Sequence, residues 1–136
     1  MNTRHKAREA AFQLLYRCDL LEDFGLTPSD IRKHFEHFQV PVSTFEFAQN
    51  LVTGTIAKRP ALDELIEAHA ANWRMSRMAL VDRNLLRLGA HELLHFRETP
   101  RAVVLDEWVQ LAKQYGTSET SAFLNGILDS LAKPSD

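Results

Sequence analysis

A chain of 136 residues is long enough for one ordinary domain with a real core, and 45% apolar against 25% charged residues is a globular balance. A net charge of −2 argues against gross nucleic-acid affinity, and no run approaches the ~18 consecutive apolar residues of a membrane span. No signal-peptide apolar region opens the sequence, so a cytoplasmic protein with no membrane partner is the expectation. The charge is uneven: Arg4, Lys6 and Arg8 outweigh Glu9 at the start, whereas acids outnumber bases after Glu98. Nucleic acid would therefore have to meet a local patch near the N-terminus.

The first helix is expected from just after Thr3 to about Glu22, with Ala7, Ala10, Ala11, Leu14, Cys18 and Leu21 as its core stripe. Gly25 reads as its stop signal. Cys18 has no partner for an internal disulfide and reads as a buried small hydrophobe. Thr27-Pro28-Ser29-Asp30 opens a second helix, with Thr27 as N-cap and Pro28 at the first helical position. That helix carries Ile31, Phe35 and Phe38 and ends before Pro41, and its His34-x-x-His37 pair reads as a solvated face. Ser43 to Glu46 has capping-box spacing, with Val42 placed to staple against Phe47 in a third helix.

Pro60 breaks the pattern or starts a fourth helix through Leu62, Leu65 and Ile66. Asn72-Trp73-Arg74-Met75-Ser76 reads as the connection into a central helix, Val81 to Phe96. Apolar residues cover most of that helix's circumference, which places it in the middle of a domain. Its polar residues Arg83, Asn84, Arg87, His91 and His95 gather on one stripe. Thr99-Pro100 opens the next helix, Gly116 closes it, and Thr117 and Ser118 can cap the last. No alternating strand pattern or repeat appears, so the chain reads as all-α with about seven helices in a single domain, 1–136.

His91-Glu92-Leu93-Leu94-His95 matches H-E-x-x-H, the zinc-peptidase spacing that puts two imidazoles on one helix face. No third ligand signature follows it, and Glu92 falls on the Val81–Leu85–Leu88 line rather than with the histidines. His91 and His95 are therefore expected as surface or interface histidines, with a metallopeptidase the distant alternative. No phosphate loop or nucleophile elbow appears.

Two stretches carry more information. Arg4-His5-Lys6-Ala7-Arg8 sets Arg4 and Arg8 one turn apart, where both can reach phosphates, although bases at a helix start also read as mere solvated charge. Phe123-Leu124-Asn125-Gly126-Ile127 puts a glycine inside a helical pattern, as expected where another backbone passes close to Gly126.

With these blocks assembled, the sequence resembles the NusB family of bacterial transcription antitermination factors. The matching blocks are Arg4 to Tyr16, Val81 to Leu93, Thr99 to Gly116 and Phe123 to Asp129, in order along the whole chain. The resemblance implies two packed helical bundles, no catalysis, no cofactor and no metal. It implies binding of boxA-type single-stranded RNA from ribosomal RNA leader transcripts, alongside the ribosomal protein called NusE. The complex would support RNA polymerase on ribosomal RNA operons.

Carried over by position, Arg4, His5, Lys6 and Arg8 match the arginine-rich RNA-contacting start, and Glu119 and Phe123 the RNA-side edge of the last helix. Tyr16 and Asp82 match positions used against the ribosomal protein. Tyr16 also lies away from Leu14 and Cys18, so an exposed aromatic is expected there. The sequence departs from the family pattern at His5, Lys6, Asp106 and Trp108, the last standing where a small residue is usual. The alternative is an adaptor or homodimer of the same fold with little RNA binding.

Overall fold

The computed structural model describes residues 3–71 and 73–133, which form seven α-helices and two short 3-10 turns and contain no strand. The backbone divides into two compact units, one ending at Ala57 and one beginning at Lys58. Asn72, expected in the connection to the central helix, lies outside the described residues.

The first unit contains α1 (Thr3–Leu20), α2 (Pro28–His37) and α3 (Phe45–Ala57), with a 3-10 turn at Val42–Thr44. Helix α1 packs against both others and buries Ala7, Ala10, Ala11, Leu14 and Cys18, while its partners bury Phe35, Leu51 and Val52. It stops before Gly25. Glu22 adopts φ 54°, and the Asp23 amide turns back to the Cys18 carbonyl at 2.9 Å. That left-handed turn ends the helix, so Leu21 falls beyond it and is exposed rather than in the core. Thr27 caps α2 as expected. Its hydroxyl accepts from the Asp30 amide at 3.1 Å and the Asp30 carboxylate accepts from the Thr27 amide at 2.9 Å.

The hydrophobic staple before α3 does not form. Val42 is 81% exposed, and the 3-10 turn instead closes through Thr44, whose hydroxyl donates to the Pro41 carbonyl at 2.8 Å.

The second unit contains α4 (Arg59–His69), α5 (Leu80–His95), α6 (Arg101–Tyr115) and α7 (Ser118–Ala132), with a 3-10 turn at Met75–Arg77. Helix α5 packs against α4, α6 and α7, and every residue from Asn84 to Glu92 is buried. The sequence places this helix at the centre, and there it lies. Of its polar stripe, Asn84, Arg87 and His91 are buried. Arg87 forks onto the two Asp63 carboxylate oxygens of α4 at 2.7 and 2.9 Å and donates to Asn84 at 3.0 Å. Asn84 in turn donates to the Leu80 carbonyl at 2.9 Å. A bidentate guanidinium–carboxylate pair of this kind satisfies the buried charge.

The close approach expected at Gly126 occurs at Gly89 instead. A Cβ on Gly89 would sit 2.9 Å from a Leu128 methyl and 3.3 Å from the Trp108 ring, whereas one on Gly126 would meet nothing within 4 Å. Gly126 is exposed in mid-helix, where glycine costs backbone entropy and gains no packing. Gly126→Ala is therefore expected to raise stability by about 0.5–1 kcal/mol. Chemical denaturation checks it, and a destabilised variant would show a neighbour at this position.

Candidate nucleic-acid interface

In the first unit the basic start is organised by one aromatic ring. Phe47 of α3 is buried and lies beneath two guanidinium groups, with Arg4 4.4 Å and Arg8 5.1 Å from its ring centre. Cation–π contact fixes both planes. The two arginines nonetheless differ in access. Arg4 is half-buried, whereas Arg8 is only 1% exposed, so Arg8 does not reach outward as its one-turn spacing from Arg4 predicts. Arg8 shares the one-turn spacing of Arg4, but its position on α1 faces inward with Ala7 and Ala11. Lys6 is exposed and lies 3.8 Å from the Glu9 carboxylate, and His5 is half-buried. Tyr16 is half-buried rather than exposed, because its ring packs against Phe12 one turn earlier, with centres 6.1 Å apart.

In the second unit the expected residues converge on a groove of about 370 Å³. Asp82 at the start of α5, Glu119 and Phe123 on α7, and Trp73 and Arg77 before α5 all line it. Trp73 is 53% exposed and meets the Phe123 ring edge-on at 6.2 Å. Glu119 is exposed on the first turn of α7, a site that favours a carboxylate. Asp82 does more than open α5. It accepts a hydrogen bond from the Thr120 hydroxyl at 3.0 Å, and Thr120 completes the capping box with Thr117. The carboxylate assigned to a protein partner thus also ties down the turn that carries Glu119. Gly116 fits here because any Cβ would collide with the Thr120 side chain at 2.5–2.7 Å.

Trp73 and Arg77 were not among the sequence candidates. Their signal was an aromatic and three bases, Arg74, Arg77 and Arg83, crowded around a short connection. Their place on the groove comes from the fold, which sets Trp73 against Phe123.

The H-E-x-x-H helix is built differently from a metal site. His91 is buried, not a surface histidine; its ring lies 4.9 Å from that of His95 and edge-on to Phe96 at 5.6 Å. Burial, then the neighbouring His95 and Lys58, lowers its pKa to about 4. Burial also lowers His95, with Lys58 contributing. Glu92 turns the other way and accepts the Trp108 indole N–H at 2.8 Å, so it cannot serve a metal-bound water beside the histidines. Among the described residues, no group of three or more His, Cys, Asp or Glu side chains is disposed to hold a metal. No helix among them is long and apolar enough to cross a membrane.

The profile of the NusB family matches residues 5–133. The transcription antitermination protein NusB of Streptomyces coelicolor is 46% identical, over 99% of this chain and 97% of its own. That of Trichlorobacter lovleyi is 42% identical, over 100% of this chain and 95% of its own. Among solved structures, T. maritima NusB superposes with a TM-score of 0.82 at 31% identity, covering 95% of this chain and 89% of that one. A crystal structure of the antitermination factors NusB and NusE in complex with dsRNA gives 0.84 at 30% identity, covering 97% of each chain. The chain therefore belongs to the NusB family, whose members are transcription antitermination factors and not enzymes.

Proposed function

We propose that this protein binds boxA-type single-stranded RNA of ribosomal RNA leader transcripts together with the ribosomal protein NusE. In that complex it supports RNA polymerase on ribosomal RNA operons, in the cytoplasm. The observation that carries the reading is the groove of the second unit, where an aromatic pair, a cation and an exposed carboxylate converge. Single-stranded RNA is read by that set: a ring face for a base, an acceptor for base amino groups, a guanidinium for phosphate. The related complex of NusB and NusE with dsRNA supports NusE and RNA as the classes of partner.

Arg4 and Lys6 supply phosphate contacts from the first unit, with His5 adding charge when protonated. Tyr16 and Asp82 remain the residues assigned to NusE. Arg8 is buried and shares the Phe47 ring with Arg4, so it acts by holding that ring in place. With Arg4, Lys6 and Arg77 as the contacting cations, the affinity should fall with salt at a log–log slope of about −2.

The decisive experiment is a calorimetric titration of boxA and scrambled RNA with and without NusE, plus a double-stranded arm. Preference for single-stranded boxA, strengthened by NusE, is the expected result. Phe123→Ala and Trp73→Ala should each weaken boxA binding about tenfold, the value of one stacked base. Glu119→Ala should lower the discrimination between boxA and scrambled RNA. Asp82→Ala should weaken NusE binding and cost about 1 kcal/mol of stability through the lost Thr120 bond.

The burial of Arg8 and the net charge of −2 favour a second reading, an adaptor or homodimer with little RNA binding. Equal, weak binding of boxA and scrambled RNA in the presence of NusE would establish that reading in place of the first.

A further inference from the structure

Away from the basic start, the first unit has a second cleft of about 290 Å³, lined by Arg17 from α1 and by Asp30, Lys33, His34, His37 and Phe38. We propose that this cleft binds a phosphate-class anion, with Arg17 and Lys33 supplying charge and the His34 imidazole a directed donor. The histidine pair that the sequence presents as a solvated face is split by the fold. His37 is exposed, but His34 is only 5% exposed and lies against α1.

The tautomer of His34 follows from its contact. Nε2 lies 2.8 Å from the Ala10 carbonyl oxygen, and a carbonyl only accepts, so Nε2 carries the hydrogen. Nδ1 is then the second polar atom of the ring, buried and with no hydrogen-bond partner among the described residues. A buried polar nitrogen left in this state is costly, and the ring lines a cleft flanked by cations. The ring is also held in place. Phe38 packs against His34 at 4.6 Å and against His37 at 5.0 Å.

The charged lining is Arg17 from α1 and Asp30, Lys33 and His37 from α2; α3 contributes none. Asp30 is the one carboxylate in that lining, and it is engaged in the Thr27 cap, whose hydrogen bonds lower its pKa. Burial lowers the His34 pKa, and Arg17 and His37 lower it further against the Ala10 contact. An anion in the cleft reverses the sign of that local field. Protonated at Nδ1, the ring keeps that proton and donates the N–H as a hydrogen bond to an anion oxygen, while Arg17 and Lys33 balance the remaining charge. Anion binding is thereby linked to proton uptake, and affinity should rise as the pH falls through the range below the ordinary histidine pKa of 6.5.

The test is an NMR titration of the full-length protein with inorganic phosphate at constant ionic strength, set with chloride and read on the imidazole nitrogens. A saturable shift of the His34 Nδ1 signal, tighter at lower pH, is the expected result. Arg17→Gln/Lys33→Gln should weaken it about tenfold. Both side chains are exposed, so this variant keeps its fold, whereas His34→Gln removes a buried hydrogen bond and serves only as a supporting variant. Adding a single-stranded oligonucleotide separates the sources of the anion. If it produces the same shift, the occupant is a phosphodiester; if it does not, the site takes a free phosphate. A His34 response no larger than that to chloride, or one equal in the double variant, overturns the proposal.

Discussion

Trp108→Ala is expected to cost about 4 kcal/mol. The indole, carried by α6, is fully buried against α5, and with Leu128 of α7 it fills the space that the missing side chain of Gly89 leaves open. Its N–H donates to the Glu92 carboxylate at 2.8 Å, so truncation removes packing and takes a charge-assisted donor from a fully buried acid. The two contributions separate in a second variant. Trp108→Phe retains most of the ring volume but no donor, and should lose about 1–3 kcal/mol. Urea denaturation measures both. A Trp108→Phe variant as stable as the parent would mean that the indole hydrogen bond contributes nothing, and that packing alone accounts for the alanine loss.

The Trp108–Gly89–Glu92 cluster also shows where sequence reading succeeds and stops. Periodicity identified α5 as central and set Glu92 on its apolar line, because both follow from 100° per residue. The partner of that acid was out of reach: Trp108 is 16 positions away, and only the pairing of α5 with α6 brings the two together. The glycine error has the same origin. Gly89 and Gly126 both interrupt helical patterns, and nothing local distinguishes a glycine that admits a neighbour from one that faces solvent. Caps were legible at Thr27 and Thr117, since their hydrogen bonds close within three residues.

The same division runs through the candidate interface. The resemblance to the family supplied Glu119, Phe123 and Asp82, and the fold gathers them on one groove. Trp73 and Arg77 were missed because they sit in a connection, where no periodicity says which way a side chain points. Arg8 was placed at the surface because its spacing from Arg4 matches one helical turn. The aromatic that sorts the two arginines, Phe47, comes from a helix about 40 residues later.

Acidification is expected to destabilise the protein through His91 by about 2–3 kcal/mol between pH 6.5 and 4. The imidazole is buried on α5, and its Nδ1 has no hydrogen-bond partner among the described residues. Burial first, then His95 and Lys58, brings the folded-state pKa to about 4 from the ordinary 6.5. Between those values the unfolded chain holds a proton at this position and the folded chain does not. Stability therefore rises with pH across the window, is complete above 6.5, and has lost the whole contribution below about 4. His34 and His95 shift in the same direction, so the parent's pH profile alone does not isolate His91. The comparison that does is His91→Leu, which keeps the site filled and apolar and has nothing to titrate. At pH 7 the variant should lie within about 1 kcal/mol of the parent, since a neutral ring with an unsatisfied nitrogen contributes little there. At pH 4.5 it should be the more stable of the two by about 2 kcal/mol. Urea midpoints at the two pH values give the difference directly, and parallel acid losses in parent and variant would remove His91 as the cause.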